Sequence, residues 1–249
     1  MSGHSKWATI KHQKGAKDKA RGKLFAKLIR QVEVAAREGG GDLDSNATLR
    51  TMYTKARAAS VPIDTIERAV KRGTGELEGV TYESITYEGY APCGVAVLVD
   101  VLTDNRNRTG ADVRNVFVKM GGSMAEPGSV SWQFSRQGII LVPGTFAEDD
   151  VMLAALDAGA EDVSDDGGTW RVTCEPGGVE KVREALEAAG ITVESAESTM
   201  VSSTTVALDS AEDAKKVLRV IDTLEENDDV QDVYANFDIP ESILDTIDA

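Results

Sequence analysis

Two arginines, Arg106 and Arg108, stand two residues apart in the stretch "LTDNRNRTG". Thr103 or Asp104 reads as the N-cap of a following helix, which puts both arginines in its first turn. The backbone N–H groups there already carry partial positive charge, so two guanidiniums oppose the macrodipole where Asp or Glu would relieve it. A helix start with two added guanidiniums is a strong anion site. In a second reading, Asp104 and neighbouring glutamates neutralise both arginines as part of the fold. The residues alone weigh the two evenly.

A larger reserve of positive charge lies at the start of the chain. "GHSKWATIKHQKGAKDKARGKLFAKLIR", Gly3 to Arg30, holds nine Lys or Arg against the single acid Asp18. Lys6, Lys11, Lys14, Lys17, Lys19, Arg21 and Lys23 are the side chains that phosphates call for, since phosphate contacts dominate nucleic-acid affinity. Trp7 lies among them and offers a face for base stacking. The commoner use of such a Trp, together with Ile10, is to pin an arm to its own domain. His4 and His12 have no carboxylate or cysteine at ligand or triad spacing, so His12 reads as a phosphate or water contact.

Nothing else suggests catalysis. "EDVSDDGGTW" gathers Glu161, Asp162, Asp165 and Asp166, but not at the alternate positions of a calcium loop, and reads as a solvated turn. "RGTGELEG" has glycines without the Lys-Ser/Thr of a phosphate loop. Cys93 and Cys174 form no zinc spacing, and point to a reducing cytosol. No metal, cofactor or small-molecule substrate is expected. No apolar run approaches the length of a membrane span, and no signal-peptide stretch opens the chain.

Charge is divided sharply along the 249 residues. Met1 to Arg72 carries sixteen Lys/Arg against seven Asp/Glu, a net of +9; Gly73 to Ala249 carries eleven against thirty-five, a net of −24, which makes up the −15 of the whole. A basic head that meets a polyanion, on an acidic body that stays soluble, fits this division.

The elements that position these residues follow from periodicity. Leu24, Phe25, Leu28, Ile29, Val32, Ala35 and Ala36 mark a first helix, with Lys23, Lys27 and Arg30 on its outer side. Ser45 reads as the N-cap of a second helix, and "VPIDTIERAVKRG" as a third. After the "GTGELEG" linker, strands alternate with helices: "VTYESITYEGY", the doubly buried run "GVAVLVDVL", a helix from "DVRNVFVKMG", then "GSVSWQF" and "GIILV" as strands. Further on come "TWRVTC", "GVEKVREALEAAG", "ITVESA", "TTVAL", "AEDAKKVLRVIDTLEE" and "DVYANFD". The predicted fold class is α+β: an N-terminal three-helix orthogonal bundle followed by two ferredoxin-like (split βαβ) α+β domains. The expected domains are a basic helical head, 1–76, an α+β domain from 80–142 plus 201–249, and an α+β domain, 143–200, inserted in it.

Four stretches, "GHSKWATIKHQKGAKDKARGKLF", "VPIDTIERAVKRGTG", "YEGYAPCGVAVLVDVLTDNRNRT" and "GSVSWQF", together resemble the YebC/PmpR family. Its mitochondrial relatives include the translational activator of cytochrome oxidase subunit one. The resemblance implies three domains and a cytoplasmic, non-enzymatic regulator of gene expression. Bacterial members are usually labelled DNA-binding transcriptional regulators; the mitochondrial relative acts in translation, and some bacterial members are tied to ribosome function. The motif starts at Gly3 with no extension before it, which favours a bacterial cytosolic protein. One departure is Ala91-Pro92-Cys93-Gly94, where the family usually has Gly-Pro-Gly-Gly; two lost glycines restrict that backbone.

Three functions therefore stand: a transcriptional regulator on DNA, a ribosome-associated translation factor on ribosomal RNA, and a module sensing a small anion at Arg106 and Arg108. No clear recognition helix or RNP-like aromatic signature separates the first two.

Overall fold

The computed structural model describes residues 17–240, Ile243 and Ile247, with side chains from Gly22 onward. Helix α1 (Lys17–Gly39) packs on α2 (Ala47–Ala58) and α3 (Ile63–Gly73). The inner side chains Leu28, Val32, Ala35 and Ala36 recur at three- and four-residue spacing, and close a core with Leu49, Ala56, Ile66 and Ala69. Gly73 lets α3 touch α1: a Cβ there would stand 2.4 Å from the Glu33 carbonyl oxygen. The N-cap of α2 is Asn46 rather than Ser45. Its carboxamide oxygen accepts from the Leu49 N–H, while its NH2 reaches the Ala35 and Gly40 carbonyls and so also closes α1. Ser45 turns back to Asp42 instead.

The first sheet has the order β3-β1-β2-β9, antiparallel throughout: β1 (Glu83–Tyr90), β2 (Ala96–Thr103), β3 (Ser123–Ala125) and β9 (Val230–Ala235). Helices α4 (Arg106–Lys119) and α7 (Ala211–Glu225) cover one face. Val97, Val99 and Val101 meet Phe117, Leu218 and Ile221 there. Ala96 and Leu98 point the other way, against Val130, Phe134 and Tyr234. Burial on both sides explains why β2 is a near-continuous apolar run, interrupted by half-buried Asp100.

The second sheet has the order β5-β6-β4-β7, also antiparallel: β4 (Phe134–Pro143), β5 (Ala160–Asp165), β6 (Thr169–Cys174) and β7 (Ser195–Ser202). Helices α5 (Glu148–Asp157) and α6 (Val179–Ala188) alternate with these strands in the split βαβ order, over a core of Ile140, Val142, Val151, Val172 and Leu186. Short strands β8 (Val206–Ala207) and β10 (Phe237–Asp238) pair in parallel. The first sheet is thus built from two chain segments that flank the second.

The segment "GSVSWQF" is not a strand. It is a loop ending in one tight turn, Ser131–Gln133, and the strand begins at Phe134. The chain accordingly enters the second sheet at 134, not 143. The reason is Glu88 on β1. Its buried carboxylate accepts the backbone N–H groups of Gly128 (2.6 Å), Val130 (2.7 Å) and Ser131 (2.9 Å), so donors that a ladder needs are already bound. Burial pushes the Glu88 pKa up, but those three N–H groups outweigh it and hold the carboxyl below its usual range.

Between the two units, the Gln133 carboxamide oxygen accepts from the Thr204 hydroxyl and from Asn236 Nδ2, and its main-chain carbonyl takes the Ser203 N–H at 2.7 Å. Asn236 in turn receives the Ala96 N–H at 2.7 Å. One buried glutamine thereby ties together both crossings of the chain.

Candidate nucleic-acid interface

Helix α4 starts one residue later than its sequence suggests. Asn105 is the N-cap, accepting the Arg108 N–H at 3.0 Å, and no acid lies in the first turn. Arg106 and Arg108 both occupy that turn, and the structure treats them differently. The Arg108 guanidinium donates to Asp104 Oδ1 and to Asp229 Oδ2, each at 2.7 Å. These two carboxylates, Asp229 first, raise its pKa further. Arg106 is exposed and makes no ion pair among the described residues; only its carbonyl is engaged, by the Tyr87 hydroxyl at 3.2 Å.

Asp229 is the centre of this corner. Its side chain is 7% exposed and receives Thr109 Oγ1 (2.6 Å), Thr103 Oγ1 (3.2 Å), Arg108 and Arg30. Burial pushes the carboxyl up, yet the Thr109 hydroxyl, the Arg108 guanidinium and the charge of Arg30 together hold it below the usual carboxylate range. The opposing charge that α4 lacks in its first turn comes from a residue 121 positions away.

Arg30 belongs to the head, and it does not act alone. Lys23 Nζ donates to the Glu226 carbonyl (2.8 Å), Lys27 Nζ to that of Glu225 (3.4 Å), and Arg30 Nη1 to that of Asp228 (2.7 Å) as well as to Asp229. These residues share one face of α1, and they meet the C-terminal end of α7. The last carbonyls of a helix lack intrahelical partners and carry the negative end of its dipole, so cations bind there. The Arg30 guanidinium also sits 5.4 Å from the centre of the Tyr82 ring. An open cleft of about 570 Å³ lies at this junction, lined by Lys23, Arg30, Tyr82, Arg108, Asp112 and Asp228 among others.

This geometry sorts the basic residues. Lys23, expected to contact phosphate, has its ammonium on the body of the protein, and Arg108 is neutralised as the structural reading required. Lys6, Trp7, Lys11, His12 and Lys14 lie outside the described residues. Lys17, Lys19 and Arg21 lie on the first turns of α1, their side chains outside the description. Arg37 and Arg72 both pair with buried Glu33, and Arg50 binds the Leu43 and Asp44 carbonyls. Lys55 and Arg57 on α2, and Arg68 and Lys71 on α3, remain exposed, and their side chains make no hydrogen bond or ion pair among the described residues. These four belong to the candidate surface and were missed from sequence. Their signal was position: each falls off the apolar stripe of its helix.

The four-residue departure divides in the same way. Ala91 adopts an ordinary extended backbone, φ −77°, whereas Cys93 is left-handed, φ 64°. Of the two lost glycines, only the one at 93 is missed.

Two family models match the chain: the TACO1/YebC protein N-terminal domain over residues 5–76, and the TACO1/YebC second and third domain over residues 82–237. The chain belongs to the TACO1/YebC family. It is similar to a "probable transcriptional regulatory protein" of Thermobifida fusca, 58% identical over 247 residues and 98% of each chain. A protein of the same description from Rubrobacter xylanophilus is 57% identical over 246 residues, again 98% of each chain. The crystal structure of a conserved hypothetical protein from Aquifex aeolicus superposes with a TM-score of 0.77 at 46% identity, covering 91% of this chain and 94% of that one. In TACO1/YebC terms, the N-terminal domain carries the exposed cations of α2 and α3, while the region matched by the second and third domain supplies Asp229 and Arg108. Among the described residues no helix is long and apolar enough to cross a membrane, and no group of three or more His, Cys, Asp or Glu is placed to hold a metal.

Proposed function

We propose that this chain is a non-enzymatic, cytoplasmic, nucleic-acid-binding regulator of gene expression that grips phosphates with its N-terminal head. The observation that carries this reading is the division of charge, +9 over the first seventy-two residues against −24 over the rest. It is sharpened by Lys55, Arg57, Arg68 and Lys71, which stay in solvent while the other described head cations are engaged within the protein. The regulatory names of the relatives from Thermobifida and Rubrobacter support it. The test is the salt dependence of binding to duplex DNA. Each phosphate contact releases condensed counterions, so replacing Lys14, Lys17, Lys19 and Arg21 by Ala is expected to flatten the slope of log affinity against log salt by roughly three to four units. An unchanged slope removes these four residues from the interface and leaves the head only the cations of α2 and α3.

A second reading, a ribosome-associated translation factor on ribosomal RNA, is favoured by the surface of α3. There Asp64 and Glu67 stand among Arg68 and Lys71, all exposed. A carboxylate beside a cation repels phosphate but can accept from a 2′-hydroxyl, the group that RNA has and DNA lacks. Sedimentation with ribosomes at low salt and release at high salt supports translation; a discrete promoter footprint with ribosome-free gradients supports transcription.

A further inference from the structure

The loop that Glu88 holds sends Val130 into the core, and on its outer side it displays the large apolar side chain with the greatest exposure among the described residues: Trp132, at 72%. Its indole N–H donates to the Ser129 carbonyl at 3.1 Å, and the hydroxyl of Tyr90, 37% exposed, reaches the same oxygen at 3.4 Å. Two aromatic rings are thus fixed to one carbonyl, in a loop whose shape is set by three N–H bonds to a single buried carboxylate. The turn ends at Gln133, whose bonds to Thr204 and Asn236 anchor it at the seam between the two α+β units. The fold therefore holds an indole rigidly in water.

We infer that Trp132, with Tyr90, is a stacking platform for an unpaired nucleobase. This deepens the nucleic-acid reading above and rests on it. With its N–H bound internally, the indole offers a partner chiefly its π-faces. Stacking suits a base, because every base has a π-face and stacking makes no demand on sequence. A protein partner would call for a different surround. Aromatic anchors of protein interfaces are ringed by residues that exclude water, whereas the apolar neighbours of Trp132 along the chain, Val130 and Phe134, are buried, and the residues left on the surface beside it include Ser129 and Ser135. The platform also lies on a different unit from the head, so a strand held at both places would span the junction of the molecule.

The experiment titrates the full chain with two labelled probes: an oligo-uridine of about twelve nucleotides, within the usual range of site sizes, and a blunt hairpin duplex. Trp132→Ala is expected to weaken oligo-uridine binding about 5- to 150-fold, the range that one stacked base supplies. Trp132→Phe keeps most of the affinity, and duplex binding by either variant is unchanged. The ring is in solvent, so the melting midpoint stays at the wild-type value and a folding defect does not imitate the result. Oligo-uridine affinity unaffected by Trp132→Ala overturns the platform and leaves the indole for a protein surface. Wild-type binding to the duplex alone overturns the platform but not the head. Wild-type binding to neither probe overturns both.

Discussion

Arg30 of α1 and Arg108 of α4 take one oxygen each of the Asp229 carboxylate, at 2.9 and 2.7 Å. Through that residue the orientation of the head depends on the first turn of α4, although the three positions are far apart in sequence. Neither arginine removes the need for the other, because the acid between them is buried.

Removing the acid is therefore expected to cost more than removing either base. Asp229→Ala should destabilise the protein by about 2–3 kcal/mol, since Thr103, Thr109 and two guanidiniums lose a charged acceptor. Arg30→Ala should cost about 1 kcal/mol, because its guanidinium is partly solvated, and Arg108→Ala should cost less, because its guanidinium is the more exposed of the two. The double variant leaves buried Asp229 without a cation, so its loss should exceed the sum of the singles by at least about 0.5 kcal/mol. Urea denaturation of the four proteins measures this; strict additivity would show the two pairs to be independent.

The same carboxyl sets a pH dependence. Its pKa is lower in the folded protein than the reference of 3.8, so the unfolded chain binds the proton more readily. The stability it supplies is complete above a pH of about 4 and fades as the pH falls through the folded value. The gap between wild type and Asp229→Asn should therefore be constant from pH 7 to about 5 and shrink below about 4. Denaturation midpoints across that range check it, and a gap that widens in acid contradicts it.

Cys93→Gly should stabilise the protein. The left-handed backbone at φ 64° costs a residue with a Cβ about 1–2 kcal/mol. Glycine removes that strain but gives back some in unfolded-state entropy. A net gain of about 0.5–1 kcal/mol should appear as a rise of about 1–4 °C in melting temperature. Cys93→Ala keeps the Cβ and should show no rise. Equal effects of the two variants would trace the change to the thiol rather than the backbone.

Glu88→Ala should cost about 2–4 kcal/mol, because it strands three backbone donors, one of them on buried Val130. Glu88→Gln, which keeps one good acceptor, should lose less. Trp132 emission and calorimetry report the two effects together: the loop should loosen in proportion to the loss of stability.

Helices and doubly buried strands were legible because their signals are local. Apolar spacing gave α1, and the run "GVAVLVDVL" gave β2. What could not be read depends on partners distant in sequence. "GSVSWQF" alternates like a strand, and only Glu88, some forty residues earlier, makes it a loop. Lys23 sits among the lysines of the basic arm and differs from them only by meeting the end of α7, 203 residues on. "ITVESA" predicts a strand, whereas β7 begins only at Ser195, because its sequence, "SAESTMVS", is mostly polar: only Thr199 and Val201 are buried along it. For the candidate site, sequence found the basic segment and the first turn of α4. It did not separate Arg106 from Arg108, because the acid that distinguishes them lies 121 residues beyond.

The pairing of Phe134 with Ser202 sets the two ends of the second α+β unit side by side. A segment that leaves and re-enters its host at neighbouring points behaves as a cassette. The host needs only a short turn to close the gap, and another domain with adjacent termini can be grafted in its place. Gln133, with Thr204 and Asn236, is then the splice junction, and these three side chains are the ones to keep when the unit is exchanged.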